Sequence, residues 1–419
     1  VTGLPEREAA VLWPTYVRPQ VEFVRGRGVR LWDSRGREYL DFLGGIAVVA
    51  AGHAHPRVVE AVAGQLGTLG HTSNLYFTGP QVELAERLVD RFGGDAKVFL
   101  SNSGAEANEA AIKVARRWGR AHRGEQATGI VATLGAFHGR TLATLAATGK
   151  PAMHPPFQPL PPGFSHVPFG DADALRAAIG PATAAVLLEP IQGEAGIRVP
   201  PPGYLRAARE ITADAGVLLM VDEIQSGMGR TGRLFAHQHE GIRPDVVTMA
   251  KALGSGYPIG ATIATTEVAD TMQRGDHGTT FGGNPVACAA ALATLDVIEP
   301  LLGGHVDKVA SRLADGLHEL RGRLVGRSTW APPSDDDADD LLPGSEVRGA
   351  GLWYALDLGE EAPATAKQVA VAALGRGLVV NPVTDTALRL APPLVVTEEE
   401  VDEGLARLAA ALEEAGLCR

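Results

Sequence analysis

Three short stretches carry residue types and spacings suited to chemistry. In Asp245–Gly254 a lysine, Lys251, follows directly on an apolar run and opens into glycine. An amine at the exit of a buried strand either snorkels to solvent or sits in a desolvated cleft. There its pKa falls and it becomes a nucleophile able to form a Schiff base. In Val217–Gln225 an aspartate, Asp222, ends a second apolar run. Open α/β sheets bind ligands at this end of their strands. Asp222 therefore reads either as a loop cap or as a carboxylate that needs a cationic partner, such as a protonated pyridine nitrogen. In Ser101–Asn108 the run Ser103-Gly104-Ala105 leads into a helix. It reads as an ordinary N-cap or as an anion site built from the free N–H groups of a helix start. Its spacing is neither G-x-G-x-x-G nor G-x-x-x-x-G-K-[ST], which supports neither dinucleotide nor P-loop binding.

Two further stretches are polar and glycine-rich. Phe137-His138-Gly139-Arg140-Thr141 sets an aromatic ring and an arginine three residues apart. That pair suits stacking on a flat ligand and fork-like binding of a carboxylate, or else a packed phenylalanine and a surface arginine. Gly278–Pro285 offers the hydroxyls of Thr279 and Thr280, or a plain polar turn. None of the 12 histidines has a carboxylate at a useful offset for a metal site, and the G-x-S-x-G elbow of a hydrolase is absent.

The elements that must position these residues follow from the apolar pattern. Lys97–Leu100, Gly129–Thr133, Ala184–Leu188, Val217–Val221 and Asp245–Met249 are short, mostly unbroken apolar runs, as expected for strands of a parallel sheet buried on both faces. Helical patterns lie between them. Ala105–Trp118 sets Ala107, Ala110, Ala111, Val114, Ala115 and Trp118 on one side, and Pro202–Ala215 is a second helix. The alternation predicts a doubly wound α/β unit. Residues 21–42 read as a small β-unit turning at Asp33-Ser34-Arg35-Gly36. The tail reads as helix Val306–Leu324, strand Leu352–Asp357, helix Thr365–Arg376, strand Leu378–Asn381 and helix Glu398–Ala415, the last with a capping start at Thr397. The Asp-rich run at 333–340 reads as a surface loop.

Composition bounds the class. The chain has 419 residues, 45% of them hydrophobic and 21% charged, with a net charge of −11. These are the proportions of a globular protein long enough for more than one domain. The acidic balance argues against nucleic acid or an anionic membrane as partner. Val1–Ala10 has no apolar segment of a secretory signal, and two cysteines make no disulfide framework. The cytoplasm is the expected compartment. Only six lysines occur, against 32 arginines. Apart from Lys251 they carry less: Lys97 opens a strand, Lys113 lies off the apolar stripe, Lys150 precedes Pro151, and Lys308 and Lys367 lie on tail helices.

Taken together and in order, these motifs resemble those of the class III pyridoxal-phosphate aminotransferases of fold type I, nearest the acetylornithine branch. Glu189-Pro190-Ile191-Gln192-Gly193-Glu194 and Asp222-Glu223-Ile224-Gln225-Ser226-Gly227 carry the likeness along with those above. It implies a large domain with a mixed, mostly parallel sheet at 46–300, and a smaller α+β domain from segments 1–45 and 301–419. It implies Lys251 as the Schiff-base lysine and proton shuttle, and Asp222 as partner of the pyridinium nitrogen. Gln225 would bond the ring hydroxyl and Phe137 would stack on the ring. Ser103, Gly104 and Ala105 would hold the phosphate, with Thr280 reaching it from the second subunit of a homodimer with composite active sites. His138 and Glu189 join the cofactor-contacting set. For substrates it implies Arg140 as carboxylate anchor with Thr279 beside it, Tyr16 as an orienting group, and Glu194 and Arg389 as a pair that exchanges between two substrates.

The implied reaction moves the δ-amine of N2-acetylornithine to 2-oxoglutarate, giving glutamate, with no metal. Ala195-Gly196 after Glu194 is commoner in ornithine δ-aminotransferases, which stay open with succinylornithine, 4-aminobutyrate and diamine enzymes. A racemase or isomerase on the same fold and a cofactor-free binding protein are rivals from other classes. Lys251→Ala is expected to abolish borohydride trapping of the cofactor on the protein. A variant still trapped would assign the Schiff base to another lysine.

Overall fold

The apolar runs assemble into a seven-stranded sheet, seen in a computed structural model that describes residues 3–324 and 342–418. The chain first forms β1 (Phe23–Arg27), β2 (Arg30–Asp33) and β3 (Glu38–Asp41), and then enters the sheet with β4 (Ala96–Ser101), β5 (Gly129–Thr133) and β6 (Phe164–Val167). It continues with β7 (Thr183–Leu188), β8 (Leu218–Asp222), β9 (Val246–Met249) and β10 (Gly260–Thr265). The spatial order is β4-β10-β9-β8-β7-β5-β6. Only β10 runs against its neighbours, β4 and β9. Every residue of β7, β8 and β9 is buried, which is why these strands read as unbroken apolar runs. No single helix among the described residues is long and apolar enough to cross a membrane.

Two strands of this sheet escape the sequence pattern. β10, Gly-Ala-Thr-Ile-Ala-Thr, is too polar to read as a buried run. It is buried because helix Gly104–Arg123 covers it, and Thr262 satisfies its hydroxyl by donating to the Ala107 carbonyl at 2.7 Å. β6 is a four-residue edge strand.

Helix Gly104–Arg123 buries all six residues of the predicted stripe and runs five residues beyond the predicted end. Its last turn is basic, which complements the helix dipole. Arg123 also donates to the carbonyls of Thr183 and Ala215, so the extra turn is tied to the sheet.

The remaining strands are β11 (Glu346–Ala350), β12 (Trp353–Asp357), β13 (Leu378–Val379), β14 (Asn381–Pro382) and β15 (Ala387–Leu390). The predicted strand Leu378–Asn381 divides between two sheets. β13 pairs in parallel with β3 beside the N-terminal hairpins, whereas β14 pairs with β15 in a sheet ordered β11-β12-β15-β14. β11 and β15 are additional to the sequence reading. Helices His305–Gly322, Ala366–Gly375 and Glu398–Glu414 lie near their expected bounds, the last with reciprocal capping between Thr397 and Glu400. The run at 333–340 lies outside the described residues.

Gly119 sets the seat of the helix that begins at Gly104. A Cβ there would stand 2.1 Å from the Ala127 carbonyl oxygen and 2.7 Å from Ala184 Cβ. In an open helix Gly→Ala stabilises by about 1 kcal/mol. Here Gly119→Ala is expected to destabilise by about 1–3 kcal/mol through overpacking, read as a lower urea midpoint.

Candidate active site

Parallel strands deliver their C-terminal ends to one edge of the sheet, and five of them deliver a functional group there. Asp222 ends β8, Lys251 follows β9, Ser103 and Gly104 follow β4, Phe137 follows β5 and Glu189 follows β7. They open on a cleft of about 420 Å³ whose wall also includes Ala105, His138, Arg140 and Gln225.

Asp222 is 4% exposed and its carboxylate is fixed from three sides. Oδ2 accepts from Asn108 Nδ2 at 2.7 Å and from His138 Nδ1 at 2.8 Å, and Oδ1 accepts from the Ile224 amide at 3.0 Å. Asn108 is itself fixed, because it accepts from Thr248 Oγ1 at 2.8 Å and donates to the His138 carbonyl at 2.8 Å. No role was assigned to Asn108 from the sequence, although an amide inside an alanine-rich buried stripe is a signal that could have found it.

Lys251 is half-buried at the cleft wall with a φ of +37°, unusual for a residue with a side chain. Burial lowers its pKa, partly offset by Glu194. Its amine makes no hydrogen bond or ion pair with another side chain among the described residues. Glu189 links two walls, accepting from the amides of Phe137 at 2.8 Å and Gly193 at 3.3 Å. Burial pushes its carboxyl up to about 7. Arg140 stands over the Phe137 ring at 5.6 Å.

Beyond Gln225 lies a charged pair. Arg389, 1% exposed, donates to Glu194 Oε1 at 2.5 Å, to Gln225 Oε1 at 2.8 Å and to Asn381 Oδ1 at 2.7 Å. Thr279 stands behind Asn102, whose Nδ2 reaches its hydroxyl at 3.2 Å. Thr280 lines a separate small recess with Asn74 and Gly283. Tyr16 is not brought to the cleft in this chain: it is 72% exposed and lies beside Arg18.

The donor set fits a flat, cationic aromatic phosphate ester bearing an aldehyde. The amides of Gly104 and Ala105 find no acceptor among the described residues, as an anion site at a helix start requires. A Cβ on Gly104 would press within 2.9 Å of Ile224, so the backbone alone forms that wall. Phe137 supplies a ring, Asp222 an acceptor for a ring N–H, and Lys251 a desolvated amine.

This fold and site define a pyridoxal-phosphate enzyme of fold type I. Residues 14–412 match the family model described as aminotransferase class-III, and the chain belongs to that family, which depends on pyridoxal phosphate. It is 50% identical over 415 residues to an acetylornithine aminotransferase of Streptomyces coelicolor, covering 98% of this chain and 96% of that one. Among solved structures it is similar to the ornithine aminotransferase of Toxoplasma gondii, with a TM-score of 0.89, 32% identity, and 98% and 94% of the two chains covered. The N-acetylornithine aminotransferase of Stenotrophomonas maltophilia gives a TM-score of 0.81 at 37% identity, with 98% and 99% covered.

Burial alone would raise the Glu194 carboxyl, but the Arg389 guanidinium more than reverses this and holds it at about 2, against an ordinary 4.5. A carboxyl depressed in the fold contributes stability above its unfolded pKa, and that contribution is lost as pH falls through the folded value. Glu194→Gln is therefore expected to flatten the loss of stability as pH falls from 4.5 toward about 2. Urea midpoints measured across that range check it.

Proposed function

We propose that the enzyme moves the δ-amine of N2-acetylornithine to 2-oxoglutarate in two half-reactions, releasing N-acetylglutamate semialdehyde and then glutamate. The observation that carries this reading is the Glu194–Arg389 pair beyond Gln225, which lines the cleft. Paired, the two groups present little net charge to an ω-amine donor. With Glu194 turned away, Arg389 offers its fork to the α-carboxylate of glutamate. One cleft thereby serves two substrates whose carboxylates lie at different distances from the amine. Relatives named for acetylornithine, at about half identity over nearly the whole chain, support the choice of donor.

Each residue has a task in this scheme. Lys251 binds the cofactor and carries the proton to and from the substrate carbon that bears the amine. Asp222 holds a proton on the ring nitrogen, and Asn108 and His138 keep its carboxylate aimed. Bound there, pyridoxal phosphate supplies an electron sink for the pair released when that carbon loses its proton. Ser103, Gly104 and Ala105 anchor the phosphate. Phe137 covers one ring face, Gln225 bonds the ring hydroxyl, and Glu189 keeps the Phe137 loop in place. Arg140 anchors a substrate carboxylate, with Thr279 behind it. Thr280, exposed and outside this chain's own cleft, reaches the phosphate across the interface of a homodimer, and Tyr16 helps orient the substrate. The chain divides into a large domain at 46–300 and a smaller one from 1–45 and 301–419. The pairing of β3 with β13 supports that division. We place the enzyme in the cytoplasm, in arginine biosynthesis.

Ornithine is the second reading, favoured by Ala195 after Glu194 and by the likeness to ornithine aminotransferase. A donor panel against 2-oxoglutarate separates the two. N2-acetylornithine is expected to convert the cofactor absorbance to the amine form, and 2-oxoglutarate to restore it. Ornithine ahead of its acetyl derivative would favour the second reading, and no spectral change with any ω-amine would overturn both.

A further inference from the structure

Lys150 is the lysine other than Lys251 that touches the machinery of this cleft. It is half-buried, and its amine donates to the backbone carbonyl of Glu194 at 2.7 Å. It makes no ion pair among the described residues. Glu194 lies in the single 3-10 turn Gly193–Ala195. That turn is held at both ends. Gln192 and Arg198 exchange backbone hydrogen bonds at 3.0 Å, and Gln192 Nε2 donates to Thr133 Oγ1 and the Leu134 carbonyl. Beyond the turn, Arg348 donates twice to the Gly196 carbonyl, at 3.1 and 3.0 Å. Within the turn the Lys150 bond falls on Glu194 itself. Lys150 also follows Gly149, whose amide donates to the Ala136 carbonyl, so it ties the Phe137–Arg140 loop to the Glu194 turn.

Arg389 depends less on this latch. Besides Glu194 it is held by Asn381, which the turn does not touch, and by Gln225, whose Nε2 also reaches Glu194 Oε1 at 3.4 Å, so it depends on the turn less than Glu194 does. The tightness of the pair is therefore set from the Glu194 side.

We propose that Lys150 is a positioning residue: by fixing the Glu194 backbone it sets how firmly Glu194 masks Arg389, and so sets the balance between ω-amine and glutamate as amine donors. This rests on the two-substrate reading of that pair. Without the latch the middle of the turn loosens between its held ends, the mask weakens, and Arg389 is uncovered more of the time. Glutamate then binds more readily, and an ω-amine donor meets an uncompensated cation.

The test uses the holoenzyme with Lys150→Met and Lys150→Arg. A hydrogen bond from a charged donor is worth about a tenfold change or more in a local equilibrium. In Lys150→Met the amides of 193–196 should exchange with solvent about tenfold faster, with the helix from Gly104 unchanged. The ratio of kcat/KM for glutamate to that for the ω-amine donor should rise about fivefold or more, with KM for glutamate falling. Lys150→Arg, which keeps a cationic donor, should restore both. A general structural defect would lower both donors together. Parallel losses, or faster exchange with an unchanged ratio, would overturn the inference. If the unmodified enzyme accepts glutamate but no ω-amine, the donor reading fails. Lys150 is then judged by loop exchange and glutamate KM, and no change in either would sink it.

Discussion

A carboxylate held dry at the end of a buried strand is the constraint that organises this enzyme. Asp222 can remain at the tip of β8 only while its oxygens are paired, because a buried, unpartnered charge is too costly to keep. Asn108 from the helix after β4, His138 from the loop after β5 and the Ile224 amide supply that pairing. Thr248 on β9 in turn fixes Asn108. Two distant stretches of chain thus converge on one side chain, with a third behind Asn108. Their convergence places the start of the helix from Gly104, the Phe137 ring and the Lys251 loop around a single cleft. The parallel sheet makes this possible, since it brings the ends of strands distant in sequence to the same edge.

In the proposed reaction the Glu194–Arg389 pair beyond Gln225 answers a different problem, that of one cation facing two substrates. Arg389 is buried and fixed, and Glu194 is the more exposed partner. The electrostatic work is divided between a rigid side chain and a short turn whose backbone other residues pin. In the proposed scheme strands and helix starts hold the chemistry and a short turn sets the choice, a common division between scaffold and loop.

What the sequence made legible follows a physical line. Strands buried on both faces announce themselves as apolar runs, and their ends pointed to Asp222, Lys251 and Ser103 directly. The helix from Gly104 was read from its stripe but ended early, because its last turn is held by Arg123 reaching carbonyls far along the chain. β10 was missed because neighbours, not its own composition, bury it. Leu378–Asn381 looked like one strand because periodicity cannot say which sheet a residue joins. The supporting contacts were out of reach for the same reason. Asn108 meets Asp222 across 114 positions of sequence. Lys150 looked like any lysine before a proline until the fold set Glu194 against it. Among its fellows, Lys97 and Lys308 pair with Asp270 and Glu398 at the surface, where an arginine would serve as well.

The parallel pairing of β3 with β13 joins Leu40 to Leu378. During synthesis, β3 emerges long before its partner exists. At about 5–20 residues per second, the ribosome needs roughly 17–70 s to reach the second strand. For that interval the hairpins of β1–β3 have an open edge, while every strand of the central sheet is already out of the tunnel well before β13. The large sheet can therefore close first, and the N-terminal hairpins wait as a nascent edge to be sealed last, a period in which a chaperone or a neighbouring nascent chain has the clearest access to them.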